Sequence, residues 1–491
     1  MPHSITVKQI EGKPGKVYYP LQLNEVPKPS PGPKDVLVRL TAAALNHRDL
    51  FIRRHLYPGI SFDHPLLADG YGIVVEVGKD ANKALLNKAV LITPSRGWAS
   101  SPDGPEDIRK FSVIGAAKTY PDGTGQDYLA LPEAEVELAP EHLTPAEGAA
   151  LPVVGLTGWR ALVTKSGNAE KGRNIFVTGI GGGVALQVLQ FAVAFGCNVY
   201  VTSGDEAKLE KAKKLGAAGG VNYKKDGWEK DLQTQLPDSR PYLDAVIDGA
   251  GGDIVSKAVK VLKPGGVISQ YGMTMSPQMD WLMQAVLKNV DLKGTTMGSR
   301  EEFRDMVAFV REKKIRPVVS RTVKGLTNLE GIEGLFKDME AGRQFGKLVI
   351  ELEETETSPK LGKMSHCFPD VSLPHCISAS SYVPVHLAIP KVMTILSVTT
   401  SALLPSVDLV AATDGIANVK IGITLPVVAR MINLPTKLKR SIGSRLAPKT
   451  LTHDNPLKMT EQEAHKHGHK LIPVELDLWD ELVEGAGISS D

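Results

Sequence analysis

The stretch NIFVTGIGGGVALQVLQFAVAFG, from Asn174 to Gly196, constrains the fold more than any other part of this 491-residue chain. A short apolar run ends in Gly179-Ile180-Gly181-Gly182-Gly183 and passes through Val184 and Ala185 directly into a long helical pattern. Strand, glycine turn and helix in immediate succession form the opening unit of a doubly wound parallel sheet. The glycines permit the tight turn and let the backbone approach a diphosphate, while the small Ala185 lets the helix pack close to the strand. Free amides at the helix N-terminus and its positive dipole end then attract the phosphates. The alternative is a glycine-rich turn with no ligand. The downstream residues argue against it: CNVYVTS, GGVNY, YLDAVIDGAG and GVISQYG read as strands, and DEAKLEKAKKLG and SKAVKVLKPG as helices among them. This alternation predicts a Rossmann-type α/β unit with a dinucleotide at Gly179, Gly181, Gly182, Gly183 and Val184.

The end of the second strand selects the cofactor, because NAD users place an acidic residue there to hold the ribose 2′-hydroxyl. Here the strand ends in Ser203, which leaves room for a 2′-phosphate, and Lys208 in the next helix offers a charge for it. NADPH is therefore favoured, although Asp205 and Glu206 lie close by. Ser203-Gly204-Asp205-Glu206 also has the form of a capping box, in which Ser203 and Glu206 would satisfy helix N-terminal donors.

Around this unit the pattern differs. Residues 1 to about 130 are short β-type runs separated by turns, among them SITVKQI, DVLVRLTAAAL, GIVVEVG and AVLITP. TPAEGAALPVVGLTGWRALV is helical, and after VDLKGTTMG two helical segments and the strand GKLVIELE close a unit near Glu354. Beyond it TETSPKLGK reads as a linker, and the remaining residues show no sustained period. The uncharged run between Lys391 and Asp408 is shorter than the roughly 18–20 residues of a spanning helix and contains Pro405, so no membrane span is expected. His366-Cys367, His375-Cys376 and the histidines at 465, 467 and 469 match no closed metal spacing, and the basic patch from Lys437 to Lys449 lacks interleaved aromatics. Fifty-seven basic residues balance 55 acidic ones, which gives no electrostatic footprint for nucleic acid. Three cysteines and a start without a signal pattern make a cytoplasmic setting the expectation.

A Pro-rich DVLVRL segment, an Asn-x-x-Asp turn, VVEVG, the TPAEGAALPVVGLTGWRAL helix, GIGGGVA and a closing GKLVIEL occur in this order. Together they resemble the medium-chain dehydrogenase/reductase superfamily, in particular its zinc-independent quinone oxidoreductases and enoyl reductases. The resemblance covers residues 1 to about 354. It implies a GroES-like β-rich catalytic domain (residues 1–150 and 298–354) interrupted by a Rossmann NADP-binding domain (151–297), with the active site between them. Residues 355–491 are then an irregular C-terminal extension.

The resemblance also directs attention to zinc, which alcohol dehydrogenases of this superfamily hold by Cys and His. Asn46 stands at the family's cysteine position and Leu67-Ala68-Asp69 at its Gly-His-Glu, and Cys197 is the sole cysteine before Glu354, so no metal site is expected. Asn46 and Asp49 match the family's Asn-x-x-Asp, and Tyr57 matches a tyrosine that some enoyl reductases use as proton donor; a turn cap and a packed aromatic are the alternatives. Arg48, Arg53, Arg54 and His55 read as solvated or phosphate-facing. By resemblance Thr157, Tyr223, Ala250-Gly251, Tyr271-Gly272 and Gly346-Lys347 surround the cofactor, and the Rossmann sheet edge forms a homodimer. The expected function is NADPH-dependent hydride transfer to quinones or α,β-unsaturated carbonyls. The alternatives are an enoyl-thioester reductase, a non-catalytic NADPH-binding sensor or scaffold, and a zinc-type alcohol dehydrogenase.

Overall fold

The computed structural model describes residues 1–352. The linker, the two His-Cys pairs, the histidine cluster, the basic patch and the uncharged run singled out above lie outside them.

The first part of the chain forms β1 (His3–Val7), β2 (Leu21–Glu25), β3 (Asp35–Ala44), the short helix α1 (His47–Arg53), β4 (Asp69–Val77) and β5 (Ala89–Ile92). It continues through β6 (Ser95–Arg96), β7 (Ser112–Val113), β8 (Tyr128–Pro132) and β9 (Val136–Leu138). Helix α2 (Pro145–Ala149) starts where Thr144 accepts the Glu147 amide and Glu147 accepts the Thr144 amide, with Pro145 preset for the first turn. Helix α3 (Pro152–Trp159) comes next, and residues Arg160–Lys165 widen into a π-type turn.

The parallel unit then runs β10 (Asn174–Val177), α4 (Gly183–Ala194), β11 (Asn198–Ser203), α5 (Glu206–Lys214), β12 (Gly219–Asn222), α6 (Trp228–Gln233) and β13 (Leu243–Asp248). It ends with α7 (Ile254–Val261), β14 (Leu262–Gln270), α8 (Met283–Leu287) and β15 (Asp291–Gly294). Its strand order, β12-β11-β10-β13-β14-β15, reverses direction between β10 and β13. A crevice opens beyond the strand ends at such a reversal. Helices cover both faces, so β10 and β13 are buried at every residue, which is why they read as continuous apolar runs.

Helix α9 (Arg300–Lys313), β16 (Val319–Lys324), α10 (Leu329–Glu340) and β17 (Lys347–Glu351) complete the described chain. Strand β17 pairs with β3, Val349 opposite Ala44, in a sheet ordered β16-β17-β3-β4-β5-β9, with β8 also on β3. The chain thus returns to the sheet it began, and the parallel unit is an insertion into a GroES-like domain. Rings from α3, α4 and α9 pack together where the two meet: Trp159 and Phe309 lie 5.3 Å apart, and Phe195 stacks on Phe309 at 4.4 Å.

Several local expectations are corrected. The helix in SKAVKVLKPG ends at Val261, and Leu262 already belongs to β14, because Leu262 aligns with Leu243 of β13. The Asn-x-x-Asp turn opens helix α1. Arg48 and Arg53 are buried: Arg48 meets Asp49 at 3.2 Å and donates to the Gly115 carbonyl at 2.9 Å. Arg53 forms a two-pronged pair with Glu333 of α10 and packs on the rings of Tyr18 and Phe336. Arg54 is half-buried and pairs with Glu340, whereas His55 is exposed, in keeping with a solvated position, and bonds the Tyr19 hydroxyl. Nothing in the local run of polar residues signals that α10, some 280 positions later, supplies the acidic partners.

At the amino-terminal end of the parallel sheet, Asp244 is fully buried among Arg240 at 2.7 Å, Lys263 at 3.0 Å and Arg173 at 3.2 Å. Burial raises its carboxyl pKa, but these cations and the Asn174 amide outweigh burial and hold it far below the carboxylate range. Its stabilisation is therefore complete above the unfolded value of about 3.9 and drains away as pH falls toward the folded one. Asp244→Asn is expected to cost about 3 kcal/mol or more at neutral pH and to flatten the acid limb of the stability curve, measured by urea melts between pH 7 and 3. An unchanged acid limb would contradict this.

Candidate active site

A cleft of about 550 Å³ opens at the strand-order reversal. Its floor is the glycine turn. Gly179 (φ +65°) and Gly181 (φ +120°) adopt backbone conformations costly for other residues, and α4 begins at Gly183 with its first amides free toward the cleft. A Cβ at Gly183 would lie 2.8 Å from the Val154 side chain and 3.0 Å from that of Lys347, so the helix start is pressed against both domains.

One end of the cleft is formed by Ser203, Gly204, Asp205, Lys208, Tyr223 and Lys224. Ser203 Oγ accepts the Asp205 amide at 3.1 Å. The expected capping box is absent: Asp205 caps α5 through the Ala207 amide at 2.9 Å, while Glu206 turns to Asn222 and Lys225. Asp205 is the cap because α5 begins at Glu206, which leaves Ser203 two residues short of the N-cap position. Lys208 Nζ donates across the cleft to the Gly342 carbonyl at 2.7 Å, and burial lowers its pKa. A Cβ on Gly204 would lie 2.6 Å from Lys224 Cε and 2.9 Å from Tyr223 Oη, so these two side chains close over the glycine.

Toward the middle, Ala250 and Tyr271 line the wall, the Tyr271 ring lying close over Gly249. Burial, then the charge of Asp248, pushes the Tyr271 phenol pKa up. The loop at Gly249–Gly251 is held by Asp248, which accepts the Gly251 amide at 2.7 Å and hydrogen bonds from Thr178 and Gln270.

The catalytic-domain wall carries a buried polar cluster. Lys347 Nζ lies 2.7 Å from Asp69 Oδ2, 2.7 Å from Asn46 Oδ1 and 2.6 Å from the Leu45 carbonyl. Asn46 Nδ2 donates to the same Asp69 oxygen at 2.8 Å, and the other oxygen accepts the Val153 amide at the start of α3, at 2.7 Å. Sheet register builds this cluster, since Ala44 of β3 is opposite both Asp69 of β4 and Val349 of β17. Asn46 lies two residues beyond Ala44, and Asp49 accepts its amide at 2.7 Å at the mouth of α1. Burial pushes the Asp49 carboxyl up to about 6 against the pull of Arg48. His47 borders the cleft; burial, then the nearby Lys347 charge, lowers its imidazole pKa.

Of the residues expected from sequence, Gly179, Gly181, Gly182, Gly183, Val184, Ser203, Lys208, Tyr223, Ala250 and Tyr271 line the cleft together. Asn46, Gly346 and Lys347 line a smaller adjoining cavity. Thr157 is buried against Met297, Gly251 and Gly272 support the Asp248 loop, and Asp49 is fully buried in the first turn of α1, outside both cavities. Tyr57 sits under the Arg48 guanidinium, 4.8 Å away, and lines neither cavity. Sequence reasoning passes over Lys224 and Gln344, which line the cleft together with His47. Lys224 is signalled by its place next to Tyr223; Gln344 carries no signal.

Known proteins share this arrangement. Residues 32–141 match the alcohol dehydrogenase GroES-like domain, and residues 183–312 match the zinc-binding dehydrogenase family. The chain is 61% identical over 358 residues, 72% of its length, to the whole of the zinc-type alcohol dehydrogenase-like protein YogA of Leptosphaeria maculans. It is 30% identical over 64% of its length to 71% of the 2-methylene-furan-3-one reductase of Solanum lycopersicum. Among solved structures, an NAD-dependent alcohol dehydrogenase superposes with TM-score 0.62 at 31% identity, over 72% of this chain and all of that one. Fold, cleft and similarity agree: the chain belongs to the medium-chain dehydrogenase/reductase superfamily and is an oxidoreductase of that nicotinamide-dependent family.

Proposed function

We propose that the chain is an NADPH-dependent reductase of quinones or α,β-unsaturated carbonyls that works without catalytic zinc. The observation that carries this reading is Lys347. Its ammonium occupies the cluster of Asn46 and Asp69, where the family's metal-binding alcohol dehydrogenases keep their ligands. An amide oxygen, one carboxylate and a lysine charge 2.7 Å from both make a poor zinc donor set, since a second cation would be repelled. Zinc does not fit this cluster. Among the described residues no three His, Cys, Asp or Glu side chains are grouped for a metal.

The glycine turn and the free amides of α4 suit a diphosphate, and Ser203, Lys208, Tyr223 and Lys224 suit a 2′-phosphate. A bound reduced nicotinamide would supply the hydride. The protein's own task is to align the acceptor, exclude water and present donors to the oxygen that gains charge. Quinones need little more, and solvent protonates the product oxyanion. An enone also needs a proton at carbon; Tyr57, the donor that the resemblance implies, packs under Arg48 outside both cavities, on the turn that Asn46 and Asp49 shape, and can serve only an acceptor that extends beyond the cleft. Tyr57→Phe is expected to lower enone reduction at least tenfold while sparing quinone reduction. Equal losses on both would remove Tyr57 from this role.

The deciding experiment follows NADPH absorbance with a panel of quinones, enals, enones and enoyl thioesters, with and without a chelator. Chelator-insensitive turnover of quinones or enones is expected. Chelator-sensitive alcohol oxidation, or cofactor binding without turnover on any acceptor, would overturn the reading. The tomato relative, named for reduction of a conjugated enone, supports the acceptor class.

The same reading includes a homodimer. Strand β15 ends the parallel sheet, and Met283, Val286 and Leu287 of α8 and Leu292 of β15 are exposed beside it. An open edge with apolar neighbours suits pairing with a second copy. Leu287→Glu with Leu292→Lys is expected to halve the mass seen by sedimentation equilibrium. Cysteine usage supports a cytoplasmic setting. No helix among the described residues is long and apolar enough to cross a membrane.

A further inference from the structure

Gln344 lies between α10 and β17, on the segment that closes the cleft from the catalytic-domain side. It lines both the large cleft and the smaller cavity, is 9% exposed, and its side-chain Oε1 is buried without a hydrogen-bond partner. The position is not loose. Gly346 N donates to the Gly181 carbonyl of the glycine turn at 3.0 Å, Lys208 Nζ bonds the Gly342 carbonyl at 2.7 Å, and Lys211 covers the Phe345 ring at 5.4 Å. An amide acceptor pinned in this way and left unsatisfied is costly, and such groups call for a partner supplied from outside.

The partner must be a donor, which excludes the diphosphate itself at neutral pH. Ser203 and Tyr223 mark the adenosine end of the cleft, while Gln344 shares the smaller cavity with Asn46, His47 and Lys347 on the catalytic side. We infer that Gln344 is a cofactor-positioning residue whose amide accepts a hydrogen bond from a ribose hydroxyl in the nicotinamide half of the dinucleotide. That ribose adjoins the diphosphate, and the segment carrying Gln344 is tied to the glycine turn by the Gly346–Gly181 bond. This inference rests on the cofactor reading above and assigns a residue that sequence patterns do not indicate. It makes the strap an active part of the cofactor site, so that the two domains set the nicotinamide jointly.

The test uses the full chain and isothermal titration with NADPH and with 2′,5′-ADP, which lacks the second ribose. Gln344→Leu is expected to weaken NADPH about five- to tenfold and to leave 2′,5′-ADP within about twofold of the wild type. Gln344→Met serves as the second variant, and melting temperatures establish that both fold. Unchanged NADPH affinity, or equal losses on both ligands, would overturn the inference. Wild-type protein that binds neither ligand would instead sink the cofactor reading and this inference with it. Should the wild type prefer NADH, the pair NADH and AMP replaces these ligands, and the same ratio decides.

Discussion

Replacing Lys347 by methionine is expected to lower the melting temperature by on the order of 10 °C and to abolish reductase activity. Lys347 is almost wholly buried, and its ammonium is shared by Asp69, Asn46 and the Leu45 carbonyl. Removing it leaves the fully buried Asp69 carboxylate facing only Asn46 Nδ2 and the Val153 amide. An uncompensated buried charge of this kind costs about 3–5 kcal/mol. The double variant Lys347→Met with Asp69→Asn removes both charges, and calorimetry should show it recovering much of the lost stability. Activity should not return, because the cluster joins β3, β4, β17 and the start of α3, and so sets the catalytic wall. If the single and double variants melt alike, the ion pair is not what holds these segments together.

The second large effect concerns the cofactor. Ser203→Asp is expected to reduce the NADPH over NADH preference by at least about a hundredfold in kcat/KM, with Lys208→Ala removing about tenfold by itself. Ser203 ends β11 at the cleft wall with its hydroxyl engaged by the Asp205 amide, and the acidic residue that lines this end, Asp205, stands two positions further on with a carboxylate oxygen on the Ala207 amide. A carboxylate there repels a 2′-phosphate and accepts from a ribose 2′-hydroxyl, whereas loss of one charge-assisted contact at Lys208 is worth about 1.5 kcal/mol or more. Initial-rate kinetics with both cofactors measure this. A wild type already faster with NADH would overturn the assignment, and the solved NAD-dependent relative makes that comparison worth running first.

The parallel unit is legible in the sequence because buried strands and amphipathic helices alternate with short turns, a signal carried by neighbouring residues. The glycine turn, Ser203, Tyr223, Ala250 and Tyr271 are legible for a related reason: each lies at or just beyond the carboxyl end of a strand, where the fold rule places a ligand, and Lys208 follows in the first turn of α5. The charge of Arg48 and Arg53 suggests solvent, yet Asp49, Glu333 and two aromatic rings receive them in the interior. Ser203 has the look of a helix cap because a four-residue pattern cannot tell which of two polar residues the chain will use.

The sequence by itself determined the order of elements in the parallel α/β unit and one wall of the cleft. Those features come from periodicity and turn chemistry, which act over a few residues; the insertion of that unit into a β-rich domain was implied by family resemblance. Tertiary structure alone decided the other wall. Asn46, Asp69, Gln344 and Lys347 are up to 301 positions apart, and they meet because β17 returns to β3 in one register and β4 pairs in another. Register is set by the packing of a whole sheet face, so no local pattern could show that a lysine opening the last strand would neutralise an aspartate at the start of the fourth.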